Sequence, residues 1–144
     1  MDNQFVGVPG ASQEAFNALN EAIAYETQSD TPTWNSELVE TNDRNIQIQR
    51  FGRVVVINFQ CKIKSSASDS DNVLFTFSDI TKWEPQILSR GWVCQNSRTT
   101  ASGVAGYCGI MKWTENNTVV LGTYLPKASE YAGVGILGSI TYML

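Results

Sequence analysis

Residues 45–64, Asn-Ile-Gln-Ile-Gln-Arg-Phe-Gly-Arg-Val-Val-Val-Ile-Asn-Phe-Gln-Cys-Lys-Ile-Lys, constrain the fold more than any other stretch of the chain. Apolar and polar side chains alternate along Ile46 to Gln49 and pause at Phe51-Gly52. They resume through Val55, Ile57, Phe59, Cys61 and Ile63. Successive side chains of an extended strand point to opposite faces. A period of two over this length therefore demands antiparallel strands with one face buried. Two turn registers fit. A two-residue turn at Phe51-Gly52 pairs Ile48 with Val55 and puts a bulky Phe at positive φ. A three-residue loop bulged at Gly52 pairs Ile48 with Val54. Val54 to Ile57 is apolar on both faces, so it needs cover on both sides, from the N-terminal helix or from a neighbouring subunit.

The rest of the chain extends this pattern. Residues 1–33 carry one helix, expected from Ser12 as N-cap to about Glu26. Glu14 lies in its first turn, and Phe16, Leu19 and Ile23 form one apolar stripe. From Trp34 onward the reading is all-β. Strand-like runs occur at 33–40, 73–77, 91–95, 104–113, 118–125 and 135–144. The polar stretch 65–72 is expected to be a loop that packs against nothing, and 79–88 to be irregular around Pro85. Many short strands without interleaved helices imply an antiparallel β-sandwich of jelly-roll type, with a short N-terminal helix. The expected organisation is a helical stem or linker over 1–33 and a β-sandwich head over 34–144.

Length and charge narrow the function. At 144 residues the chain suits one domain that can bury its own core. Net charge is −4 and the ten basic residues form no cluster, so neither nucleic acid nor an anionic membrane is an expected partner. No apolar run is long enough for membrane insertion. Cys61, Cys94 and Cys108 are odd in number and widely spaced. They read as small buried apolar residues, in keeping with folding in a reducing compartment. The absence of histidine removes Ser-His and Cys-His nucleophile pairs and His-liganded metal sites. The acidic loop with Asp69, Asp71 and Asn72 lacks the Gly and terminal Glu of an EF-hand. No catalytic residue, metal or cofactor is expected.

Three segments in this order, Arg50-Phe-Gly-Arg-Val-Val-Val-Ile57, Asn116-Asn-Thr-Val-Val-Leu121 and Gly138-Ser-Ile-Thr-Tyr-Met143, resemble the C-terminal head domains of bacteriophage tail-fibre and baseplate receptor-binding proteins. The resemblance covers about residues 45–144. It departs from the family pattern at Ser78-Asp-Ile-Thr-Lys-Trp-Glu-Pro85, which replaces the usual Leu-Pro…Pro pattern. It implies a homotrimeric head on an N-terminal stem, made in the bacterial cytoplasm and working outside it on the virion tail. The implied partners are a host surface polysaccharide or protein receptor and other phage tail proteins. The helical stripe suits either a three-helix seam or packing on its own sheet.

Sugars offer flat C–H faces and a rim of hydroxyls. Aromatic planes beside carboxylates or amides are the matching chemistry. The expected ligand-binding residues are therefore Trp83 with Glu84, Trp113 with Glu115 and Asn116, and Tyr131. Trp34 and Trp92 fall in strand-like runs and are expected in the core. A binding head is the leading reading. The alternatives are a polysaccharide depolymerase using loop carboxylates from Asp79, Glu84, Glu115 and Glu130, and a purely structural tail component.

Overall fold

The computed structural model describes residues 11–23, 25–27, 32–70, 72–96 and 105–144. In chain order these form α1 (Ala11–Ile23), β1 (Tyr25–Thr27), β2 (Thr33–Trp34), β3 (Val39–Phe51), β4 (Val54–Ile63), β5 (Val73–Phe77), α2 (Ile80–Trp83), β6 (Ser89–Gln95), β7 (Ala105–Glu115), β8 (Thr118–Tyr124) and β9 (Gly135–Met143). The strands make one antiparallel sheet in the order β1-β3-β4-β9-β6-β7-β8-β5-β2. The molecule is thus all-β with a short N-terminal helix, as the alternation required. Its layers belong to one continuous sheet that curls until nearly closed. The segment after β2 spans the gap. Asn35 donates to the Leu74 carbonyl of β5, and the Leu38 carbonyl accepts from Lys64 at the end of β4.

The β3–β4 hairpin takes neither expected register. Phe51 pairs with Val54 and Ile48 with Ile57, so the turn residues are Gly52 and Arg53. Gly52 has φ of 58° and supplies the left-handed residue at the first turn position, which relieves Phe51 of that strain. Arg53 then reaches across to β9, where its guanidinium donates to the Leu144 backbone oxygen at 2.7 and 3.0 Å. The late hairpin forms where the sequence places it, with a tighter turn, since Thr114 and Glu115 belong to β7. Asn116 and Asn117, at φ 50° and 62°, turn the chain between paired Glu115 and Thr118.

The inward positions of β4 (Val55, Ile57, Phe59, Cys61, Ile63) meet Ile136, Ile140 and Tyr142 of β9, and all are buried. Phe59 of β4 lies 5.8 Å from Phe75 of β5, edge to face, so the two flanks of the curled sheet meet at these rings. A register shift between Val73 and Phe75 turns both Leu74 and Phe75 inward, where strict alternation expected Val73, Phe75 and Phe77. Gly138 is paired with Phe59 because the ring occupies its side-chain space. A Cβ there would stand 2.1 Å from Cζ of Phe59.

Three local expectations change. The 79–88 segment contains α2, started by Asp79, whose carboxylate accepts from the Thr81 hydroxyl and the Lys82 amide. These two bonds hold that carboxyl below its ordinary range. The 65–70 stretch is tethered rather than unpacked. Asp69 accepts from both the amide and the hydroxyl of Ser129, and Ala67 packs against the core. α1 begins at Ala11, one residue before the expected cap Ser12, and Leu19 of its stripe is 49% exposed. Tyr25–Thr27 of the expected stem segment hydrogen-bond to the edge of β3.

Replacing Gly138 by Ala should lower stability by about 1–3 kcal/mol in chemical denaturation, since the Phe59 ring must leave its rotamer. In a Phe59→Leu background the same change should cost markedly less, because the two residues share one space. Equal costs in both backgrounds would contradict the packing described.

Candidate functional site on the outer sheet face

Inward residues on each central strand fix what faces out. Val93 of β6 and Cys108 and Ile110 of β7 are buried, so Trp92 and Tyr107 point to the opposite face. Residues directly opposite in register share a face. Gln47, Asn58, Ser139, Trp92 and Tyr107 are such a series, across β3, β4, β9, β6 and β7. Four interstrand steps make this row about 19 Å long. The next row is Asn45, Gln60, Leu137, Cys94 and Ala105.

The rows differ in character along their length. At the β3–β4 end, Asn45, Gln47, Asn58, Gln60 and Leu137 line a depression of about 220 Å³. These four amides make no side-chain hydrogen bond among the described residues. At the other end Trp92 is 54% and Tyr107 46% exposed. The Arg90 guanidinium stands 5.0 Å from the centre of the Tyr107 ring. The face therefore joins open aromatic planes to free amide donors and acceptors. That combination can cover apolar C–H surface and satisfy a rim of hydroxyls at once.

The sequence-predicted residues are placed elsewhere. Trp83 is fully buried beside Phe77. Its carbonyl accepts the Tyr142 hydroxyl at 2.9 Å, so its ring is part of the core and no ligand plane. Burial also raises the Tyr142 phenol above its ordinary pKa. Tyr131 is likewise in the core, turned inward by a 3-10 turn at Ala128–Tyr131, with its hydroxyl against Gly106. Burial, and then the charge of Glu130, raise its pKa. Glu84 pairs with Lys112 at the sheet rim. Trp113 is half-buried and lies over Gly122, where a Cβ would meet its ring at 2.8 Å. Glu115 and Asn116 are exposed at the β7–β8 tip.

The candidate carboxylates do not converge. Glu130 lines a depression with Ala105 and Gly106 at the start of β7, whereas Glu115 ends that strand, roughly 30 Å away at the rise of an extended chain. Glu130 itself stands 3.7 Å from Lys127, and Asp79 is engaged as the α2 cap. Among the described residues no group of three or more Cys, Asp and Glu is placed to hold a metal ion.

Trp92, expected in the core, is exposed on this face. Trp92, Val93 and Cys94 are apolar in succession, so the strand alone does not say which of them faces in. The decision comes from the partner strand, where Ser139 lies opposite Trp92 and Gly138 opposite Val93. Comparison with known proteins finds no match to any family model, any curated protein or any solved structure.

The three cysteines report this geometry. All are free, with Cys61 and Cys108 buried and Cys94 half-buried on the outer face. Burial pushes the Cys61 thiol up to about 12, helped by Asp43, and burial does the same for Cys108. At mildly alkaline pH a water-soluble disulfide reagent should label Cys94 alone in the native protein and all three thiols after denaturation. Native labelling of Cys61 or Cys108 in peptide maps would contradict the assigned faces.

Proposed function

We propose that the chain is a receptor-binding head of a phage tail or tail-like particle, which recognises a host surface glycan as a homotrimer. The observation that carries the glycan reading is the row Gln47-Asn58-Ser139-Trp92-Tyr107. Its aromatic end offers stacking planes, and its amide end offers hydrogen-bonding groups that no side chain among the described residues engages. The phage assignment rests on the sequence resemblance. The resembling segments Arg50–Ile57 and Gly138–Met143 lie side by side, because β4 and β9 pair from Val54↔Met143 to Lys62↔Gly135.

Trimerisation fits a shallow, open site. An open face gives each glycan contact modest affinity, and three copies on one particle multiply it through effective concentration. Apolar surface for such assembly is available at Leu19 on α1 and at Ile87 and Leu88 before β6, all exposed. Contacts with other tail proteins and action outside the cell belong to the same reading.

The test is a glycan array read beside sedimentation analysis of the same protein. The reading predicts a trimer that binds a bacterial surface glycan. Trp92→Ala should weaken binding by about 2 kcal/mol, roughly thirty-fold, without loss of the far-ultraviolet β signal. Glu115→Gln should bind as the parent does. A strict monomer that binds no glycan, or full binding retained by Trp92→Ala, would overturn it.

A further inference from the structure

The charge on the three central strands of the sheet runs against the charge of the chain. The sequence holds 14 acidic and 10 basic residues, yet β4, β9 and β6, adjacent in the centre of the sheet, contain no Asp or Glu. Their charged residues are Arg90 on β6 and Lys62 on β4, with Arg53 and Lys64 flanking β4. Lys62 is exposed and lies opposite Gly135, on the outer-facing parity of β4. Arg53 is used at the turn, where it donates to Leu144. Arg90 is exposed, and among the described residues its interaction is with the Tyr107 ring.

We infer that the glycan taken by this face is acidic, a polysaccharide whose sugar rings carry carboxylates, with Arg90 as the residue that selects the charge. The inference rests on the glycan reading above and adds the class of ligand. A guanidinium held over an aromatic ring keeps its N–H fork at its edge, and that planar fork matches the two oxygens of a carboxylate. Arg90 and Trp92 are two residues apart on one face of β6, about 7 Å along the strand. A sugar ring stacked on Trp92 thus places a ring-borne carboxylate beside Arg90. No carboxylate stands on the three strands, and Glu130, which shares a depression with Tyr107 on the next strand, lies 3.7 Å from Lys127. Lys62 lies about 20 Å further along the sheet and provides a second cation for an extended chain of acidic units. A neutral glycan would gain nothing from this arrangement.

Titration calorimetry with polygalacturonate, with the same polymer after chemical reduction of its carboxyl groups, and with poly(glycerol phosphate) tests the inference. The parent protein should bind the carboxylated polymer at least about ten-fold more tightly than the reduced one, with affinity falling as salt is added. Arg90→Gln should remove that preference while still binding the reduced polymer as the parent does. Trp92→Ala should weaken both. Both side chains are exposed, so circular dichroism is expected to show an unchanged fold. Equal binding of both sugar polymers, abolished by Trp92→Ala, would overturn the acidic class and leave the glycan reading in place. A preference that survives Arg90→Gln, or binding of the phosphate polymer alone, would also overturn it. Failure to bind any of the three would remove both this inference and its basis at this face.

Discussion

Burial of the inward residues of β4 is the interaction on which the rest of the molecule depends. β4 is hydrogen-bonded to β3 on one side and β9 on the other, and its C-terminal end also binds the segment that closes the sheet. Val55, Ile57, Phe59, Cys61 and Ile63 form a continuous inward stripe. A fully buried side chain of this size contributes about 1.5–3 kcal/mol relative to exposure. Register is thereby strongly specified, because a slip of one residue would turn the whole stripe to solvent. Once that parity is fixed, the outer series Asn58 and Gln60 is fixed with it. Through β9 the same parity reaches Trp92 and Tyr107.

Glycine placement then decides which aromatic residues stay open. Gly109 and Gly122 lie on the outer side of β7 and β8, and their missing side chains are replaced by the rings of Tyr124 and Trp113. Those rings are spent on packing and are half-buried. Trp92 instead has Ser139 on one side and Tyr107 on the other, with no bare glycine beneath it, and remains exposed. The same logic on the inner side seats Phe59 over Gly138 and the Tyr131 hydroxyl against Gly106. The open outer face is a product of the inner packing, not an independent feature.

Much of the fold was legible in the sequence because the hairpin 45–64 and the closing strand alternate cleanly. In the closing strand Ile136, Ile140 and Tyr142 share the inward face with Gly138. The site was far less legible, and for local reasons. Trp83 sits between Lys82 and Glu84, so its neighbourhood looked solvated. One helical turn capped by Asp79 is enough to carry it under the sheet while those neighbours stay at the surface. Tyr131 was hidden the same way by a 3-10 turn entered through Lys127 at φ 54°. Trp92 failed for the opposite reason, since three apolar residues in a row mask the period of two. Pairing with a partner strand, which no single segment contains, settles its direction.

On the proposed glycan reading, recognition belongs to the sheet's outer surface rather than to its loops. The most direct test is a nitrogen–proton correlation spectrum recorded while a bound oligosaccharide is titrated in. The four Trp indole N–H signals act as internal markers. The account predicts movement of the Trp92 indole together with the side-chain amides of Asn45, Gln47, Asn58 and Gln60, while the Trp83 indole stays in place. Shifts confined to the Glu115–Asn117 tip, with Trp92 unmoved, would contradict it.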